Sequence, residues 1–193
     1  MDPTARPTFT TDLRFDYIFS SHNLEHIPDI IGHLKEIAAV SAGPHTKYYL
    51  AIPDKRYCFD HYQVLTQFPK MIEAHRYGII RPSYRSVLEN KVFMTHNDSP
   101  EHWQGRSGEN PYNFPAPESF LDKIRSCMDE AAKVDTEYVD AHCWQFIPES
   151  FFYNMDVLHR LGMIPWKAQS IFSTAPGSNE FYAILELAWS LDS

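Results

Sequence analysis

The segment from Phe15 to Asp54 limits the fold more than any other part of the chain. Phe15-Asp16-Tyr17-Ile18-Phe19-Ser20-Ser21 is a short apolar run rich in aromatics, which predicts a buried strand. Pro28-Asp29 then leads into Ile30, Ile31, Leu34, Ile37 and Ala38, apolar positions at helical spacing, with proline expected in the helix's first turn. Gly43-Pro44 stops that helix, and Lys47-Tyr48-Tyr49-Leu50-Ala51-Ile52 reads as a second strand closed by Pro53-Asp54. Strand, helix and strand at this spacing form a βαβ unit, whose strands run parallel through a right-handed crossover.

The rest of the chain adds helices and a hairpin. Residues 60–78 and 82–94 are expected to be helical, and 95–117, rich in Asn, Gly and Pro, to be a long loop. Long loops in compact domains usually carry function. Helices are expected over 117–133 and from Pro148 to Gly162, then strands over about 166–174 and 180–187, joined by Pro176-Gly177-Ser178-Asn179. The fold class is therefore α/β: β-α-β, a helical and loop insert, a helix, and a C-terminal antiparallel hairpin. Residues 1–14 read as a polar lead-in to a single domain over 15–193. A parallel sheet needs cover on both faces. Two parallel strands and a hairpin are few for that, so the domain is expected to lack strands or to borrow them from a second copy.

Composition narrows the function classes. The formal net charge is −8, and the nearest thing to a basic cluster is the pair Lys55 and Arg56. Phosphate recognition needs clustered cations, so nucleic acid is not an expected partner. The three cysteines, Cys58, Cys127 and Cys143, include no C-x-x-C pair, which favours a reducing compartment. The start, Met1-Asp2-Pro3-Thr4, has no basic region followed by an apolar stretch, and no run approaches a membrane span. A soluble, cytoplasmic chain without a membrane partner is the expectation.

Phe15-Asp16-Tyr17-Ile18-Phe19-Ser20-Ser21-His22-Asn23-Leu24-Glu25-His26-Ile27-Pro28-Asp29 resembles the fourth strand of class I S-adenosylmethionine-dependent methyltransferases and the H-x-x-E-H-x-P-D turn after it. Ala51-Ile52-Pro53-Asp54 resembles the end of that family's fifth strand. Pro53-Asp54-Lys55-Arg56-Tyr57-Cys58-Phe59-Asp60 is similar to the PDKRYTFD of a bacterial subgroup. So are His96-Asn97-Asp98 with His102-Trp103, and His142-Cys143-Trp144-Gln145-Phe146-Ile147-Pro148-Glu149-Ser150-Phe151. The final hairpin resembles the sixth and seventh strands. The resemblance covers about 15–188 and corresponds to the C-terminal half of that family's Rossmann-like domain. It implies S-adenosylmethionine as methyl donor and a small polar or glycan hydroxyl as acceptor. The family's glycine-rich cofactor loop has no counterpart: the chain has 7 glycines and no G-x-G. Its ribose-binding acidic residue is also missing, and Ser41-Ala42-Gly43-Pro44-His45 replaces the usual LxPGG turn.

In open α/β sheets ligands bind beyond the carboxyl ends of the strands. That places Ser20, Ser21 and His22 on the implied cofactor side. His22, Glu25 and His26 are candidates to take a proton from an acceptor hydroxyl; Glu25 and His26 could equally cap or pack at the next helix. Asp54, Lys55, Arg56, Tyr57 and Asp60 suit an anionic or sugar substrate, or a solvated turn. His96, Asn97, Asp98, His102 and Trp103 suit a polar substrate, or packing of the loop on itself. His142 is expected as a site wall, and Trp144, Phe120 and Phe151 as core. His22-x-x-Glu25-His26 also fits the inverted zinc-protease pattern, which needs one helix to carry both imidazoles to one metal. Pro28 argues against that helix, so no metal site is assigned from it. A non-catalytic scaffold that self-associates through the incomplete sheet, and a zinc hydrolase, stand beside the methyltransferase reading.

Overall fold

The computed structural model describes residues 11–188. They form an α/β fold with a four-stranded mixed sheet. The strands are β1 (Tyr17–Ser21), β2 (Lys47–Pro53), β3 (Trp166–Phe172) and β4 (Glu180–Leu187), in spatial order β1-β2-β4-β3. β1 and β2 are parallel, with Tyr17 beside Lys47 and Ser21 beside Ala51. β4 runs antiparallel to both neighbours. The helices are α1 (Ile30–Ala39), α2 (Phe68–Arg76), α3 (Tyr84–Phe93), α4 (Ser99–Trp103), α5 (Glu118–Ala132) and α6 (Pro148–Arg160). No helix among the described residues is long and apolar enough to cross a membrane.

The βαβ unit forms as its residues dictate, with two boundary changes. Asp29 caps α1, its side chain accepting from the Gly32 N–H at 2.8 Å, so Pro28 precedes the cap instead of lying in the first turn. Phe15 makes only an isolated bridge to Ser41, and the strand proper starts at Tyr17. Later in the chain, Pro148 opens α6, where its missing N–H costs nothing, and Ser150 Oγ accepts from the Ile147 N–H. Residues 60–63 are turn and bend and 64–67 have no regular structure, instead of helix, and the long loop contains the short helix α4. Of the expected lead-in, residues 1–10 lie outside the described residues.

One sheet face is built into the core and the other is open. Tyr48, Leu50 and Ile52 of β2 alternate inward with Phe181, Ala183 and Leu185 of β4 and Trp166 of β3, against Ile30, Ile31 and Leu34 of α1 and Phe151, Met155 and Leu158 of α6. The Trp166 indole donates to the Leu34 carbonyl at 2.7 Å, so the ring buries without an orphan N–H. The opposite face presents Tyr17, Phe19, Tyr49, Phe172 and Tyr182, with Phe19 74% exposed and stacked on Tyr49 at 4.8 Å. β1 is an edge strand, and its free edge lies beside this open aromatic face.

Candidate functional site

Hydrogen bonds bring the distant segment 142–146 to the carboxyl ends of β1 and β2. The chain leaves β1 through His22, whose φ of 47° is left-handed, and enters a 3-10 turn over Leu24–His26. Residues 142–146 run back across this turn. Cys143 N donates to the Glu25 carbonyl at 2.7 Å and the Trp144 indole to the Ile27 carbonyl at 2.6 Å. Phe146 bridges Asp54 at the end of β2, and its carbonyl accepts from Lys55 N at 2.9 Å.

Glu25 sits at the convergence. It is 1% exposed, and neither carboxylate oxygen has a hydrogen-bond partner. Three imidazoles face Oε1 without reaching hydrogen-bond distance: His26 Nε2 at 3.8 Å, His142 Nε2 at 4.0 Å and His22 Nδ1 at 4.0 Å. Each ring is held from behind by a carboxylate. His22 Nε2 meets Glu180 at 2.6 Å, His26 Nδ1 meets Asp140 at 2.9 Å and His142 Nδ1 meets Asp60 at 2.6 Å. Tyr182 donates to the other oxygen of Glu180 at 2.5 Å.

The electrostatics follow from burial and these pairs. Burial raises the Glu25 carboxyl above its ordinary value, and the surrounding imidazoles offset this only in part. Burial pulls His142 down, but its hydrogen bond to Asp60 and the charges of Asp60, Glu25 and Asp140 together outweigh that and leave the ring above the usual value. Burial likewise opposes the ionised forms of Asp140 and Glu180. Their histidine and tyrosine hydrogen bonds prevail and hold both below the ordinary range. The site therefore gathers negative charge outside a ring of imidazoles, with one buried carboxyl inside. Glu25, His26 and His142 offer ligand atoms within 4.8 Å of one another, a set able to hold a metal ion. The inverted zinc pattern is not formed on one helix, because His22 follows the end of β1 and Glu25 and His26 occupy the 3-10 turn.

The other sequence candidates divide. Asp54 is fully buried and engaged by Arg56 at 2.6 Å and Thr174 at 2.6 Å, so it braces the strand end instead of facing a substrate. That contact also pins Arg56. Lys55 donates to the His61 carbonyl at 2.6 Å, and burial lowers its pKa. Asp60 anchors His142. His96 bonds the Arg106 carbonyl through Nε2, and His102 bonds the His96 carbonyl, so both stabilise the loop itself. Asn97 and Asp98 are exposed, and Asp98 caps α4. Tyr57 and Trp103 stack at 3.9 Å beside the β2 end, and the Trp103 indole donates to the Ser178 carbonyl. Trp144 is core, as expected. Sequence reasoning missed Asp140 and Glu180. Asp140 stands two residues before His142, and Glu180 pairs in register with Pro53 at the β2 end.

The implied cofactor fits only in part. Ser20 and Ser21 line an open apolar trough of about 630 Å³ on the bare sheet face, with Phe19, Tyr49 and Tyr182. Among the described residues no strand pairs with the free edge of β1, and no glycine-rich turn follows a strand to approach a methionine moiety. These residues do not by themselves fit S-adenosylmethionine. The chain matches no protein-family model, no curated protein and no solved structure.

Proposed function

We propose that this chain is the acceptor side of a Rossmann-like, methyltransferase-type enzyme. It binds a small polar or glycan hydroxyl compound at the carboxyl ends of β1 and β2, and the grip on S-adenosylmethionine comes from elements other than the described residues. The observation that carries this reading is His22. Its Nε2–H donates to Glu180, which leaves the Nδ1 lone pair 4.0 Å from Glu25 Oε1, and its side chain is 40% exposed. An imidazole oriented by a carboxylate and open to solvent is suited to take a hydroxyl proton. The meeting of two resembling segments, 15–29 and 142–151, at Glu25, with Asp60 of a third behind His142, supports the same reading. Bound S-adenosylmethionine would supply an electrophilic methyl group. The residues of this chain align the acceptor oxygen and hold its proton at His22 Nδ1.

The test is ligand-observed NMR with monosaccharides, polyols and sugar nucleotides, followed by long-range imidazole spectra of the complex. The expected result is a hydroxylated ligand that moves the ring signals missing from the spectrum of His22→Asn. A folded chain that binds none of them, or binds without moving the His22 signals, overturns the proposal.

A second reading, a scaffold that pairs with a second copy, is favoured by the edge of β1, unpaired among the described residues, and by the open aromatic face. Unpaired edges and contiguous apolar patches are the ordinary routes to self-association.

A further inference from the structure

We infer that Glu25, His26 and His142 form a binding site for one divalent transition-metal ion of the zinc class. The distances point to it. The imidazole nitrogens stand 3.8 and 4.0 Å from Glu25 Oε1, too far for hydrogen bonds. Two donors each about 2.1 Å from one ion are about 3.4 Å apart in a tetrahedron and up to about 4.2 Å apart in wider geometries. The three donor atoms all lie within 4.8 Å of one another, so the set draws together to take an ion. A buried carboxylate with neither oxygen bonded is costly, and a cation among these ligands satisfies it.

The outer contacts are those of a metal centre. Asp140 accepts from Nδ1–H of His26 and Asp60 from Nδ1–H of His142, so each ring turns the bare lone pair of Nε2 toward Glu25. Carboxylate–histidine pairs of this kind orient metal-ligating imidazoles and raise their basicity. Two imidazoles and one carboxylate disfavour magnesium and calcium, which take oxygen ligands. Three protein ligands leave an open position, and the partly exposed His26 marks the solvent side. His22 remains beside this position, outside the mutual set. An ion here would act as a Lewis acid on a bound hydroxyl or water. The site goes beyond the acceptor reading and is tested without acceptor or methyl donor.

The test uses the full chain stripped with chelator and titrated with zinc against a chromophoric competitor, then with cobalt for its visible spectrum. The expected result is one zinc per chain, a cobalt spectrum of low coordination number, and affinity lowered about 100-fold or more in His26→Ala and His142→Ala. His45→Gln, at an exposed histidine on the far side of the sheet strands, leaves affinity unchanged. Zinc should also raise the unfolding temperature of the wild type, a readout that needs no variant to fold. No stoichiometric binding, or binding that survives in His26→Ala and in His142→Ala, overturns the inference.

Discussion

Asp60 Oδ2 lies 2.6 Å from Nδ1 of His142, and both side chains are closed to solvent. The contact joins segments 82 residues apart and fixes which nitrogen of His142 faces Glu25. Asp60 also accepts from Gln63 and, at 3.5 Å, from Asn90. Asp60→Asn removes the charge these donors were placed to meet. The expected cost is about 1–3 kcal/mol, read as a lower urea midpoint with an unchanged slope.

His33 sets an acid limit on stability. Burial lowers its pKa from 6.5 to about 4, so it is neutral in the folded chain where the unfolded chain takes up a proton. Above pH 6.5 neither state is protonated there and the linkage is absent. As pH falls from 6.5 toward 4, the unfolded state binds more protons and stability drops. The loss reaches up to about 3 kcal/mol. His33→Gln should flatten this part of the profile in urea unfolding measured across pH.

Phe151 stands between Phe146 at 5.3 Å and Phe181 at 5.8 Å, joining α6 to the sheet and to the segment that carries His142. Phe151→Ala leaves a cavity there. Unfolding stability is expected to fall by about 3–5 kcal/mol.

His22 adopts a left-handed backbone that asparagine tolerates well. His22→Asn is therefore expected to keep stability within about 0.5 kcal/mol of wild type while removing the imidazole that meets Glu180. Thermal unfolding and the imidazole spectrum check the two halves of this expectation together.

Phe19 projects from the open sheet face next to the free edge of β1. If a second copy covers this face, light scattering will find a concentration-dependent dimer, and Phe19→Glu will make it monomeric. A wild-type monomer at every concentration removes the scaffold reading.

Local pattern made most of the fold legible. Helical spacing and Pro-Asp gave α1, and turn residues around 176–179 gave the hairpin, whose second strand Glu180–Leu187 has the expected bounds. The irregular stretch 60–67 was not legible. Asp60 and Thr66 there bond to residues far along the chain, and tertiary contact overrides local preference. The site was legible by residue type but not by role. Asp54 and Asp60 look alike beside a strand end, yet one braces the strand and the other orients an imidazole, because their partners, Thr174 and His142, are chosen by the sheet. Glu180 drew no notice because its meaning comes from the register that sets it opposite Pro53.

The division of labour proposed for this chain, acceptor side present and methyl-donor grip elsewhere, is tested most directly by calorimetric titration of the folded chain with S-adenosylmethionine and S-adenosylhomocysteine. The account predicts no saturable heat at millimolar ligand, because among the described residues no glycine-rich turn follows a strand and β1 has no partner on its free edge. Saturable binding at micromolar level, about 8 kcal/mol of affinity, would contradict it by showing that these residues hold the cofactor unaided.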